Sequence, residues 1–221
     1  MDIFRFARIA ITACLAMAFT TSAHATYPAD PPPATFEMYG RWIAAAPGRD
    51  VEVRAFEAFL VAQGVAGVFP TYEILRSESL WSECGGEPFV LASRAEWPHI
   101  VGTLRFIREE VVPLTGELEI VSGYRDPALN TCSGGRSASA HMAFWALDLE
   151  PVAAISREEM IASLCPVYAT RGRAARIGLG FYDETRFHID ARSFRTWGAD
   201  GRGASSPCNA PARARQLASA Q

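Results

Sequence analysis

The chain has 221 residues, enough for one good-sized domain with room for a small extension. Hydrophobic residues make up 49% and charged residues 20%, an ordinary balance for a soluble globular protein. The formal net charge of −3 leaves no basic footprint for nucleic acid, and no motif supports that class of partner.

The opening MDIFRFAR places Arg5 and Arg8 before an apolar run over 9–19, and Ala23-His24-Ala25 then supplies small residues for cleavage. These are the three regions of a secretory signal peptide over 1–25. The apolar run is too short to leave a membrane span in the mature chain, which is expected to be periplasmic or secreted. Cys14, in ITAC, loosely resembles a lipoprotein box, but few apolar residues precede it, so Ala-His-Ala is the better site. Export leaves Cys84, Cys132, Cys165 and Cys208, an even number that suggests two disulfides with three possible connectivities. No pair has the Cys-x-x-Cys spacing of a metal site. Pairing Cys132 with Cys165 would staple the central loop, and Cys84 with Cys208 would tie down the tail.

Residues 26–35 read as a proline-rich linker and 36–80 as a helical extension without chemistry of its own. In the extension, Phe36, Tyr39 and Ile43 share one side of a short helix over 36–43. Asp50 reads as the N-cap of a second helix in which Val53, Phe56 and Leu60 recur at helical spacing before Gly64 closes it. A third short helix is expected over 70–80. The main domain, 81–200, opens a stronger helix at Trp97-Pro98, with Ile100, Leu104, Ile107 and Val111 as its apolar stripe and Pro113 as its stop. Arg105, Arg108, Glu109 and Glu110 form its solvated face, and His99 reads as a surface or capping residue.

Strands are expected over 117–122, 145–150, 177–182 and 187–192, the last two joined by the turn Asp183-Glu184-Thr185. Ser156 and Glu159 make a capping box ahead of a helix with Ile161, Leu164, Cys165 and Tyr168 on one face. Helices and strands alternate only partly, so the expected class is α+β, with packed helices and a mainly antiparallel sheet. Residues 201–221 read as a tail that contains Cys208.

The stretch 122–150 carries the chemistry. His141 and Asp148 stand seven residues apart behind a Gly/Ser-rich loop, and His188 follows in FHID. Strand alternation sends Phe187 and Ile189 into the core and puts His188, Asp190 and Arg192 on the other face. In the second strand Leu147 and Leu149 point inward when Asp148 points out, and small Ala146 leaves room beside it. Two imidazoles and one carboxylate, with a position left open, are the donor set of a catalytic zinc. The plain alternative is a His–Asp hydrogen bond with a purely structural role.

The order SGYR, Asp126-Pro127, Asn130, Gly134-Gly135, Ser139, His141, Ala146, Asp148 resembles the zinc D-alanyl-D-alanine carboxypeptidase family. Its relatives include the vancomycin-resistance dipeptidases and the murein endopeptidases related to the hedgehog signalling domain. The resemblance covers about 97–197, and the Phe187-His188-Ile189-Asp190 strand matches one branch. It implies a hedgehog/D,D-peptidase-like fold, Zn2+ held by His141, Asp148 and His188, and a peptidoglycan or muropeptide substrate. It further implies that Arg125 stabilises the developing charge on the scissile carbonyl and that Ser139 helps hold the substrate. The expected reaction is attack by a zinc-activated water on a stem peptide, most simply at a D-Ala-D-Ala bond.

The chain departs from that pattern twice. Many relatives carry an acid three residues before the second histidine as general base, where this chain has Thr185. Asp190 is the favoured substitute, with Asp183 and Glu184 in the preceding turn as alternatives and a ligand-orienting role as its other reading. Phe144 stands where relatives often have glycine, and its bulk is expected to narrow the site or change substrate choice. The missing acid keeps a non-catalytic wall-binding module open as a second function. A metallopeptidase acting on another cross-link or a dipeptide is a third.

Overall fold

The computed structural model describes residues 33–209. The signal peptide, most of the proline-rich linker and residues 210–221 lie outside the described residues. Helix α1 (Phe36–Ala44) starts at Thr35, whose hydroxyl accepts from the Met38 N–H at 3.3 Å. It buries Trp42, with Tyr39 and Ile43 half-buried beside it, while Phe36 is left in solvent. Helix α2 (Arg49–Ala62) buries Val53, Phe56 and Leu60, as the spacing requires. Its N-cap is Gly48, at φ 78°, rather than Asp50, which lies inside the first turn and pairs with Arg54 at 2.8 Å.

Helix α3 (Thr71–Ile74) is shorter than the helix expected over 70–80. The backbone beyond it pairs with an extended segment instead: Val90 N–H donates to Leu75 O at 2.9 Å and Ser77 N–H to Pro88 O at 3.1 Å. Arg76, buried, then ties this region to the first strand, donating to Ala34 O, Glu119 and Ile120 O at 2.9, 2.8 and 2.6 Å. Helix α4 (Trp97–Phe106) runs through a π turn (Ile107–Val111) into α5 (Val112–Thr115). Pro113 does not stop the helix. It sits in the first turn of α5, just after the π turn, and Gly116 at φ 75° ends the run.

Five strands form one sheet: β1 (Leu118–Ser122), β2 (Ala146–Pro151), β3 (Gly178–Phe181), β4 (Phe187–Asp190) and β5 (Arg195–Trp197), in the order β1-β2-β4-β3-β5. The pairs β1–β2, β2–β4 and β3–β4 are antiparallel, and β3–β5 is parallel. The class is α+β with a mainly antiparallel sheet, as expected; β5 was not anticipated. Ile120, Leu147, Leu149, Leu179, Phe187 and Ile189 join Ile100 and Leu104 of α4 in one apolar core. That core also contains Trp42, Phe56 and Leu60 of α1 and α2. Helix α6 (Pro127–Cys132) follows β1, capped by Asp126, and α7 (Arg157–Val167) opens with the expected capping box of Ser156 and Glu159.

The disulfides are Cys84–Cys132 and Cys165–Cys208, not the expected Cys132–Cys165 and Cys84–Cys208. Leu129 of α6 packs on the turn at Gly86, which brings Cys132 to Cys84 with Cα atoms 5.8 Å apart. Cys165 on α7 meets the 3-10 turn Pro207–Asn209, where its Cα lies 5.0 Å from that of Cys208. Among the described residues no helix is long and apolar enough to cross a membrane.

Candidate metal centre

The register of β2 against β4 sets Asp148 opposite His188 and Ala146 opposite Asp190. With Leu147, Leu149, Phe187 and Ile189 committed to the core, these polar side chains share the other face. His141 comes from a 3-10 turn (Ala140–Ala143) whose first N–H groups are met by Ser139, the hydroxyl accepting from His141 N–H at 3.3 Å. His99 braces the end of that turn. Its Nδ1 lies 2.7 Å from Ala143 O, and its ring stacks on Trp145 at 4.3 Å.

Three donor atoms converge. His141 Nε2 lies 3.2 Å from Asp148 Oδ1 and 3.1 Å from His188 Nδ1, which is 2.9 Å from the same carboxylate oxygen. The outer nitrogens decide where the ring protons sit. His141 Nδ1 faces the Gly123 carbonyl at 2.6 Å and must donate to it, and His188 Nε2 faces Asp190 Oδ2 at 2.9 Å. Each imidazole can thereby turn its other nitrogen inward, as a ligand held by an outer hydrogen bond does. Burial opposes charge on His188, but its hydrogen bonds to Asp148 and Asp190 prevail and raise its pKa. Burial, then the charge of Arg125, lowers the His141 pKa and keeps that ring neutral. Burial raises the Asp148 pKa, but His141 and Arg125 outweigh it and hold the carboxyl well below its ordinary value.

With both inner nitrogens bare, lone pairs packed this closely repel unless a cation stands among them. Four donors placed tetrahedrally at about 2.0–2.1 Å from zinc stand about 3.3–3.4 Å from each other, close to the spacing found here. His141, Asp148 and His188 thus fit the ion by atom type and spacing, and form the one metal-competent group found among the described residues.

Further partners surround the donors. Arg125, buried, places Nη2 2.5 Å from Asp148 Oδ2 and Nε 2.5 Å from Glu78 Oε2. Tyr182 donates its hydroxyl to Asp148 Oδ1 at 3.0 Å. Burial, then the Asp148 charge, pushes its pKa well above the usual phenol value, so it remains a donor. Trp197 of β5 covers the His188 ring at 4.8 Å.

Asp190 is fully buried, and its oxygens are engaged by His188, by both terminal nitrogens of Arg195 (2.9 and 2.7 Å) and by Arg192 N–H. Burial raises its pKa, but the bonds from His188 and Arg195 prevail and bring it to about 2.

A cleft of about 510 Å³ opens onto this centre, lined by His141, His188, Arg125, Ser139, Tyr182 and Trp197 among others. Ser133–Arg136 and Gly198–Gly201 also line it, and Arg136 donates to Gly201 O at 2.8 Å. A second hollow, about 660 Å³, lies beside α1 and α2 and touches none of the donors. Asp183 and Glu184 are exposed and do not line the cleft, nor does Asp190. Phe144 does not narrow the site as expected. It turns away into the core, 5.9 Å from Phe56 and 6.2 Å from Tyr124, through a left-handed backbone at φ 54°.

A family model described as peptidase M15 matches residues 77–190, just over half of the chain. The chain belongs to the peptidase M15 family. The resemblance read from the 122–150 stretch is therefore correct, and this M15 peptidase is a metallopeptidase acting on a peptide substrate. M15 peptidases are zinc-dependent, in keeping with the His-Asp-His donor group. No curated protein and no solved structure gives a significant match. Glu78, Tyr182, Arg195 and Asp200 are polar residues at the site that were not singled out from the sequence. Glu78 falls in the stretch read as an extension without chemistry, and Tyr182 precedes the turn searched only for acids. The family match begins just ahead of Glu78.

Proposed function

We propose that this M15 peptidase hydrolyses the peptide stems of peptidoglycan outside the cytoplasm, as a zinc-dependent carboxypeptidase acting on D-Ala-D-Ala ends. The observation that carries this reading is the triangle of His141 Nε2, Asp148 Oδ1 and His188 Nδ1, two of whose residues, His141 and His188, line a polar cleft. The two disulfides support an oxidising compartment, in keeping with the signal peptide read from the sequence.

His141, Asp148 and His188 would hold zinc, which when bound supplies an activated water and polarises the carbonyl to be attacked. Arg125, on the cleft wall between two carboxylates, is assigned to donate a hydrogen bond to the oxygen on which negative charge develops. Tyr182 holds the Asp148 oxygen shared with the histidines and offers the cleft a protonated hydroxyl. Ser139 also lines the cleft, its hydroxyl capping the His141 turn, and is assigned to help hold the substrate. Asp190, favoured from the sequence as general base, here has the geometry of its other reading: it orients His188 and is itself clamped by Arg195. The carboxylate that does line the cleft is Asp200.

A second reading, a wall-binding module that keeps the fold and metal without cleaving, draws on one observation. Thr185 replaces the usual acid, and none of Asp190, Asp183 and Glu184 lines the cleft. The mature, disulfide-bonded chain should bind one zinc per molecule and release D-alanine from a pentapeptide-containing muropeptide. Zinc without cleavage of varied muropeptides favours the module; absence of zinc, or full activity in His188→Ala, overturns the site. Asp200→Asn should lose turnover with zinc retained if Asp200 carries the proton, whereas Asp190→Asn should weaken zinc itself.

A further inference from the structure

Glu78 lies beyond α3 in a segment that packs against the end of β1. Its side chain is 7% exposed, and its Oε1 accepts from Ser79 N–H, Ser79 Oγ and Ser122 Oγ at 2.9, 2.9 and 3.2 Å. Those three donors fix the carboxylate and leave Oε2 facing Arg125 Nε at 2.5 Å. The same guanidinium meets Asp148 Oδ2 at 2.5 Å through Nη2. The Nε contact is a close ion pair rather than an aligned hydrogen bond, so the Glu78 carboxylate restrains the Arg125 plane through charge at one edge while Nη2 donates to Asp148 at the other.

The geometry points to Glu78 as a positioning residue of the metal centre, acting through Arg125 to set the rotation of Asp148 that presents Oδ1 to the two histidines. This rests on the zinc reading above. Electrostatics supports it. Two buried carboxylates against one guanidinium leave an excess negative charge, which a dication at the neighbouring donors balances. A purely structural partner for Arg125 would not need to be charged, whereas here the charge on Glu78 favours both the orientation of Arg125 and the cation beyond it.

The test is zinc affinity, measured by chelator competition on the mature disulfide-bonded chain, independent of any substrate. Glu78→Gln should weaken zinc binding about tenfold, and Arg125→Lys by a similar factor, the range typical of residues that hold a ligand from outside. The double variant should bind no more weakly than the weaker single one, because both changes break the same chain of contacts. Should Glu78→Gln fail to fold, Ser122→Ala removes one hydrogen bond to Oε1, leaves the ion pair in place, and should weaken zinc about threefold. Unchanged affinity in a variant with native circular dichroism overturns the inference, as do losses that simply add in the double variant. A parent chain that binds no zinc overturns the zinc reading and this inference together. Zinc binding indifferent to Glu78 overturns this inference alone.

Discussion

Phe144 sits under two opposed effects. Its left-handed backbone, φ 54°, costs a residue other than glycine about 1–2 kcal/mol, while its ring, fully buried against Phe56 and Tyr124, contributes about 3–5 kcal/mol. Burial wins. Phe144→Gly should therefore destabilise the chain by about 1–4 kcal/mol in urea unfolding, despite restoring the residue the backbone prefers, and should leave zinc stoichiometry unchanged. A glycine variant as stable as the parent would show that the ring does not anchor the loop. Asp190 offers a second test at this scale. Its pKa falls from 3.8 to about 2 in the folded chain, so it contributes stability above its unfolded value that is lost as pH drops through the folded one. The shift is worth on the order of 2 kcal/mol. Asp190→Asn should flatten the fall in stability between about pH 4 and pH 2, measured by urea unfolding at stepped pH, whereas an unchanged slope would assign it to other carboxyls.

Strands β3 and β5 shape the site by close approach. A Cβ on Gly180 would overlap the indole of Trp197, and one on Gly178 would overlap the Asp190 carboxylate. Gly180→Ala should push Trp197 off the His188 ring, costing about 1–3 kcal/mol and changing the tryptophan fluorescence of the folded chain. An unaltered spectrum with native zinc affinity would mean that the indole does not support the ligand. The same strands show why part of the site was legible beforehand. In β2 and β4 alternation alone separates Leu147, Leu149, Phe187 and Ile189 from Asp148, His188 and Asp190, because one face of each strand is buried in the core. No such pattern marks β5, three half-buried residues whose pairing depends on glycines in another strand. The cysteine pairing was equally out of reach, since it depends on α6 packing over the turn at Gly86. Glu78 looked inert because the residues that give it a role, Ser122 and Arg125, are brought to it only by folding.

At the level of the whole molecule, α1 and α2 precede the family match at residues 77–190, yet they share its core. Phe56 packs on Trp97 at 5.3 Å and on Phe144 at 5.9 Å, and Phe144 ends the turn that carries His141. Trp42 packs on Phe89, whose segment pairs with the backbone just ahead of Glu78. The two helices thus reach the metal centre through two separate contacts. Removing them would strip burial from Trp42, Phe56 and Leu60, each worth about 1.5–3 kcal/mol. The sum approaches the whole stability of an ordinary domain, about 5–15 kcal/mol, before counting the newly exposed Phe89, Trp97 and Phe144. A chain beginning at Val65 should therefore lose its cooperative urea transition and bind zinc at least tenfold more weakly than the parent, because the turn carrying His141 loses its packing. A sigmoidal transition at the parental midpoint, with parental zinc affinity, would show instead that the matched region folds alone and that α1 and α2 are accessory to it.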